Sequence, residues 1–91
     1  MTNALSLLKA RLGITIDKRD VYLQAIIEGV KREVKDIQGL DLDESNPNHL
    51  MFLVDYSCWR YMNKGEDKPM PQHILFRLKN LMVGGKNGNI W

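Results

Sequence analysis

Leu23-Gln24-Ala25-Ile26-Ile27-Glu28-Gly29-Val30-Lys31-Arg32-Glu33-Val34-Lys35-Asp36-Ile37 is the stretch that decides the fold class. Its apolar residues Leu23, Ile26, Ile27, Val30, Val34 and Ile37 follow one another at spacings of 3, 1, 3, 4 and 3. That is a stripe along one face of a 3.6-residue period. Gln24, Glu28, Lys31, Arg32 and Lys35 fall opposite, and Glu28 to Arg32 is a favourable i,i+4 pair. An amphipathic helix with one buried face needs other helices or a sheet to cover it. Asp17 is placed to cap its start and Gly39 to end it, so the spacing predicts a helix over residues 17–38.

Outward from this segment, three more helices can be read, and no segment alternates as a strand does. Leu5, Leu8 and Leu12 mark a helix over 3–12, stopped by Gly13. Asn46-Pro47 is a strong start signal, since proline suits the first helical position, and predicts a helix over 47–63. This third helix is apolar on two sides. Leu50, Leu53, Val54, Ser57 and Tyr61 form one face, and Phe52, Tyr56 and Trp59 form an aromatic stripe almost opposite. It must be covered twice, either as a central helix or with its second face against another subunit. Pro71 opens a fourth helix over 71–83, with Ile74, Leu75, Leu78, Leu81 and Met82 as its stripe and Phe76 and Val83 on the other side. Gly84-Gly85 then reads as its stop. The expectation is an all-α fold of about four helices in one small domain, residues 1–83, with a flexible C-terminal tail over 84–91.

Size and charge bound the function. Ninety-one residues fit one domain. The longest apolar run, Leu50 to Val54, is far from the ~20 residues a bilayer helix needs. The Met1-Thr2-Asn3 start has neither the basic nor the apolar segment of a secretion signal, and Cys58 is the only cysteine, so the expectation is a soluble intracellular protein without a disulfide. A net charge of +2 is a weak version of the dense basic face a dedicated DNA binder carries. Its distribution is uneven. Residues 36–46 hold Asp36, Asp41, Asp43 and Glu44 without a base, while 68–91 hold Lys68, Arg77, Lys79 and Lys86 without an acid. Opposed charged regions of this kind suit head-to-tail self-association, and they equally suit a solvated surface.

No catalytic, metal or cofactor pattern emerges. Cys58 sits beside an apolar stripe, where a free cysteine acts as a small hydrophobe. His49 and His73 lie in the first turns of separate helices with no third ligand at metal-site spacing. Lys31, Arg32 and Lys35 cluster on one helix face, yet Glu28, Glu33 and Asp36 are mixed among them, which reads as solvated surface before phosphate track. Asp55 and Arg77 suggest an ion pair between the third and fourth helices, or else an arginine reaching a neighbouring subunit or DNA. Phe52, Tyr56 and Trp59 are either core or a candidate subunit or portal interface. Ile90-Trp91 is either a loose end or a tethered hydrophobic anchor for a partner.

The stretch Asp55-Tyr56-Ser57-Cys58-Trp59-Arg60-Tyr61, a charged turn, and then Met70-Pro71-Gln72-His73-Ile74-Leu75-Phe76-Arg77-Leu78-Lys79-Asn80-Leu81 resembles the small head–tail connector proteins of tailed phages, also described as gp6-like adaptor or DNA-packaging proteins. The opening fits the same pattern, with a leucine helix ending in Leu12-Gly13-Ile14 and a second running to Ile37-Gln38-Gly39. The resemblance implies a structural adaptor and not an enzyme, with no cofactor and no membrane. Such an adaptor assembles as a ring on the portal vertex, extends the DNA channel, and joins head to tail. Its partners would be other copies of itself, the portal protein, a stopper or tail-completion protein, and DNA passing without sequence-specific binding. Its place would be the head–tail junction of the virion, reached from the host cytoplasm during assembly. The chain ends are implied to dock on the portal, which would give Ile90 and Trp91 a role. Two other readings remain open on the residues alone: a small nucleic-acid-binding packaging factor, and a helical regulator binding a host protein through its aromatic stripe.

Overall fold

Two helices of the structure, a computed structural model describing residues 3–63 and 70–87 (the last five as backbone only), begin on an asparagine side-chain cap. In order the elements are α1 (Ala4–Leu12), α2 (Asp20–Glu33), a π-helical turn (Val34–Gln38), α3 (Pro47–Met62) and α4 (Gln72–Asn87), with no strand among the described residues. Asn3 caps α1, its Oδ1 accepting from Ser6 N–H at 2.9 Å. Gly13, at φ +73°, closes it, and the N–H groups of Gly13 and Ile14 return to the carbonyls of Ala10 and Lys9. Asn46 caps α3 through Asn48 and His49 N–H, with Pro47 in the first turn.

Three boundaries differ from the sequence expectation. α2 starts at Asp20, not after Asp17, because the Asp17 carboxylate is drawn to Lys9 on α1 at 3.0 Å. Lys9 also lies 2.7 Å from Asp20, and these two carboxylates, Asp20 first, raise its pKa above the ordinary lysine value. At the other end of α2, the π-turn widens the backbone ladder by one residue. The phase of the stripe changes there: Val34 stays buried while Ile37 turns out to 70% exposure. Finally, α4 does not stop at Gly84-Gly85 but continues to Asn87. Glycine costs only about 1 kcal/mol in a helix interior. It ends a helix when it turns left-handed, as Gly13 and Gly39 do at φ +73°.

The packing follows from α3 being apolar on two sides. α3 touches α1, α2 and α4, whereas α4 touches only α3 among the described elements. Leu8, Leu23, Ile27, Val30, Val34, Phe52, Leu53, Ile74 and Leu78 form the fully buried centre. The two-sided helix is thus the middle of the bundle, covered by its own chain. Ser57 lies within this core at 0% exposure, and its Oγ has no hydrogen-bond partner among the described residues. A buried donor left unpaired costs roughly 1–3 kcal/mol. Ser57→Ala removes that cost at little loss of volume and is expected to stabilise the fold by about 1 kcal/mol, or about 4–8 °C in Tm. A lower melting temperature in this variant would show that the hydroxyl is satisfied in solution.

Candidate functional site

Besides the Lys9 pairs with Asp17 and Asp20, four junctions of polar side chains among the described residues tie the helices together. The first is centred on Asp55 of α3, whose carboxylate accepts from Arg11 of α1 on one oxygen and from Arg77 of α4 on the other. The Asp55 side chain is 16% exposed, and the two arginines keep roughly half their surface in water. The sequence pointed to Arg77 as the partner of Asp55. It gave no sign of Arg11, because nothing local fixes which α1 residue comes to face the middle of α3.

The second junction lies between α2 and α3. Tyr56 donates its O–H to Glu33 at 2.7 Å, and Arg60 donates both to Glu33 and, at 3.2 Å, to the Tyr56 oxygen. The Arg60 guanidinium sits 5.2 Å from the centre of the Tyr56 ring, within cation–π range. Burial, reinforced by the hydrogen bond to Glu33, pushes the Tyr56 hydroxyl above its ordinary pKa. For Arg60, burial works against the charge, but Tyr56 and Glu33 together hold its pKa above the ordinary arginine value.

At the third junction Arg19, just before α2, donates to the Tyr61 hydroxyl of α3, and the Tyr61 and Tyr22 rings stand 6.1 Å apart. The fourth disposes of the acidic segment. Glu44 accepts from Ala4 N–H at the start of α1 and from Lys31 of α2, both at 3.1 Å. A carboxylate at a helix N-terminus is where the helix dipole favours it. Asp43 accepts from the hydroxyl and the N–H of Ser45, which lowers its pKa, while its own N–H donates to His49 Nδ1 at 3.0 Å.

These placements rearrange the candidates. Phe52 and Tyr56, expected as a possible interface, are 0% and 4% exposed and lie in this chain's own core. Trp59 is half-buried, its ring stacked 5.9 Å from that of Tyr56. The reason is geometric: the apolar stripe of α2 needs a partner, and the aromatic side of α3 supplies it. Asp55 and Arg77 come together as described. Ile90 and Trp91 lie outside the described residues. His49 is engaged in loop closure, and among the described residues no three His, Cys, Asp or Glu side chains gather as a metal site.

The exposed side chains carry a different message. Lys31, Arg32 and Lys35, read as a possible phosphate track, face Glu44, Asp36 and Asp41 at 3.1, 3.6 and 4.0 Å. Glu28, Lys31, Arg32, Lys35, Asp36 and Asp41 line a shallow cleft of about 450 Å³. Large apolar side chains stand open at Val21, Ile37, Met62 and Phe76, 85%, 70%, 68% and 67% exposed. Phe76 was legible as off the main stripe of its helix, but Ile37 was not, because its exposure depends on the π-turn. No described helix is long and apolar enough to cross a membrane.

An all-α bundle whose polar groups are spent on holding its own helices, with charged and apolar side chains left on its flanks, has the character of an assembly part. The comparisons agree with this. A family model for phage gp6-like head-tail connector proteins matches residues 2–79, from the start of α1 to the middle of α4. No curated protein and no solved structure matches the chain. With more than four-fifths of its length accounted for in this way, the chain belongs to the phage gp6-like head-tail connector family.

Proposed function

We propose that this chain is the adaptor that assembles as a ring on the portal vertex, extends the DNA channel, and joins the head of a tailed phage or prophage to its tail. The observation that carries the reading is the family match over residues 2–79. The geometry supports it by weakening the rivals. A nucleic-acid-binding factor using the α2 cluster would rely on Lys31, Arg32 and Lys35, yet Lys31 is held by Glu44 at 3.1 Å and the other two lie among Asp36 and Asp41, so the face is no clean basic track. A regulator gripping a host protein by its aromatic stripe would need Phe52 and Tyr56, which are buried. A channel that lets DNA pass should hold phosphates weakly, since every tight contact is a counterion-releasing grip that resists movement. The modest net charge of +2 suits that.

In this reading the chain is structural and acts without cofactor or metal, its partners are the portal and a stopper or tail-completion protein, and it works at the head–tail junction. Ile90 and Trp91 form the element that docks on the portal, tryptophan being a favoured anchor residue at interfaces. The experiment is co-assembly with the portal protein of the source phage, read by native mass spectrometry. The full chain is expected to join the portal as a ring, and a chain ending at Asn89 to fold normally and join it more weakly. A chain that ignores the portal and binds duplex DNA or a host protein instead would overturn the reading.

A further inference from the structure

Two flanks of the bundle carry opposite charge, and each presents one large apolar side chain to solvent. On one flank, α4 touches no described element but α3, so its far side faces outward with Phe76 67% exposed and Lys79 beside it on the surface. On the α3 side of α4, Arg77 shares the single carboxylate of Asp55 with Arg11 of α1. Counting Lys79, three cations against one anion leave two positive charges among the side chains on and beside α4.

The other flank is built by the π-turn, which touches only α2, and by the segment that follows it. Between residues 28 and 44 the chain has six acids and three bases, and one of those acids, Glu33, is taken by Arg60. Five acids against three bases leave two negative charges. In their midst Ile37 is 70% exposed, next to Asp36. The internal pairs Arg32–Asp36 and Lys35–Asp41 are long, at 3.6 and 4.0 Å, and mostly exposed. Such pairs contribute little and exchange readily.

We infer that these two flanks are the two halves of one contact between copies of this chain. Phe76 and Lys79 on α4 of one copy meet Ile37 and the carboxylates Asp36 and Asp41 on the π-turn side of the next. The inference rests on the ring reading and names the surfaces through which the ring would close. Charge selects this pairing over the symmetric ones. Bringing α4 against α4, or π-turn against π-turn, sets like charges face to face, and juxtaposed like charges reject a partner. Because the two flanks belong to elements that do not touch each other, α4 and α2 with its π-turn, the contact is heterologous. Contacts of that kind propagate and close into a ring when the rotation permits. Each half has the composition of an interface centre, an apolar side chain inside a charged rim.

A charge exchange tests it. Lys79→Glu makes the α4 flank more acidic, and Asp36→Lys/Asp41→Lys makes the other flank basic. Each variant alone, with its fold checked by circular dichroism, is expected to lose assembly on the portal by more than about tenfold, because like charges now meet. Mixing the two is expected to restore assembly as alternating subunits, since each variant's altered flank complements the other's. Variants that each assemble as well as the unaltered chain, or a mixture that stays unassembled, would overturn this contact. That result leaves the connector reading standing as long as the unaltered chain joins the portal. If the unaltered chain does not, the reading itself fails and the contact with it.

Discussion

Phe52→Ala is expected to destabilise the isolated chain by about 3–5 kcal/mol, a fall of at least about 12 °C in Tm for a domain of this size. Phe52 has no exposed surface and packs 6.0 Å, ring to ring, from Tyr56 between α3 and its neighbours. Truncation removes the transfer energy of the ring and leaves a cavity that a close-packed core closes only in part. The loss is a large share of the 5–15 kcal/mol that natural domains have in total. Phe52→Leu keeps most of the volume and is expected to cost far less. Urea titration of both variants separates core from interface. If the aromatic stripe served another subunit, Phe52→Ala would melt like the unaltered chain and fail only in assembly.

The next largest effect belongs to Asp55. Asp55→Ala removes the one carboxylate that Arg11 and Arg77 share, and leaves two guanidinium groups facing each other. Removing one partner of a largely buried charge cluster costs several kcal/mol, but these arginines remain partly solvated, so about 2–3 kcal/mol is expected. Arg77→Ala should cost less than Asp55→Ala, and Arg11→Ala least, because the Arg11 side chain is already 50% exposed. A double-mutant cycle between Asp55 and each arginine, measured by chemical unfolding, gives the two coupling energies. A cycle with no coupling at Arg77 would mean that α4 is held to the bundle by its apolar side chains, Ile74 and Leu78 foremost.

The sequence failed at particular residues for particular reasons. Asp17 looks like a helix cap, but a lysine eight residues earlier in the chain competes for its carboxylate, and spacing along the sequence does not reveal that competition. Gly84 and Gly85 look like a stop, but glycine only weakens a helix unless the backbone turns left-handed after it. The acidic segment 36–46 reads as a free acidic face. In the fold, Glu44 is bonded to the start of α1 and to Lys31, while Asp36 and Asp41 stay exposed and only loosely paired with Arg32 and Lys35. Arg11 carried no signal at all.

By itself the sequence determined the number and kind of elements, the α2 stripe from Leu23 to Val34, the caps at Asn46-Pro47, Gly13 and Gly39, and the need for α3 to be covered on two sides. These are local or periodic properties, written in neighbouring residues. Only the tertiary structure decided that the second face of α3 is covered from within, that Asp55 serves two arginines, and that Ile37, at the end of the α2 stripe, turns out to solvent. Each of these depends on distances between segments far apart in the chain. Such distances are set when several half-buried faces satisfy one another at once, and no single segment encodes them.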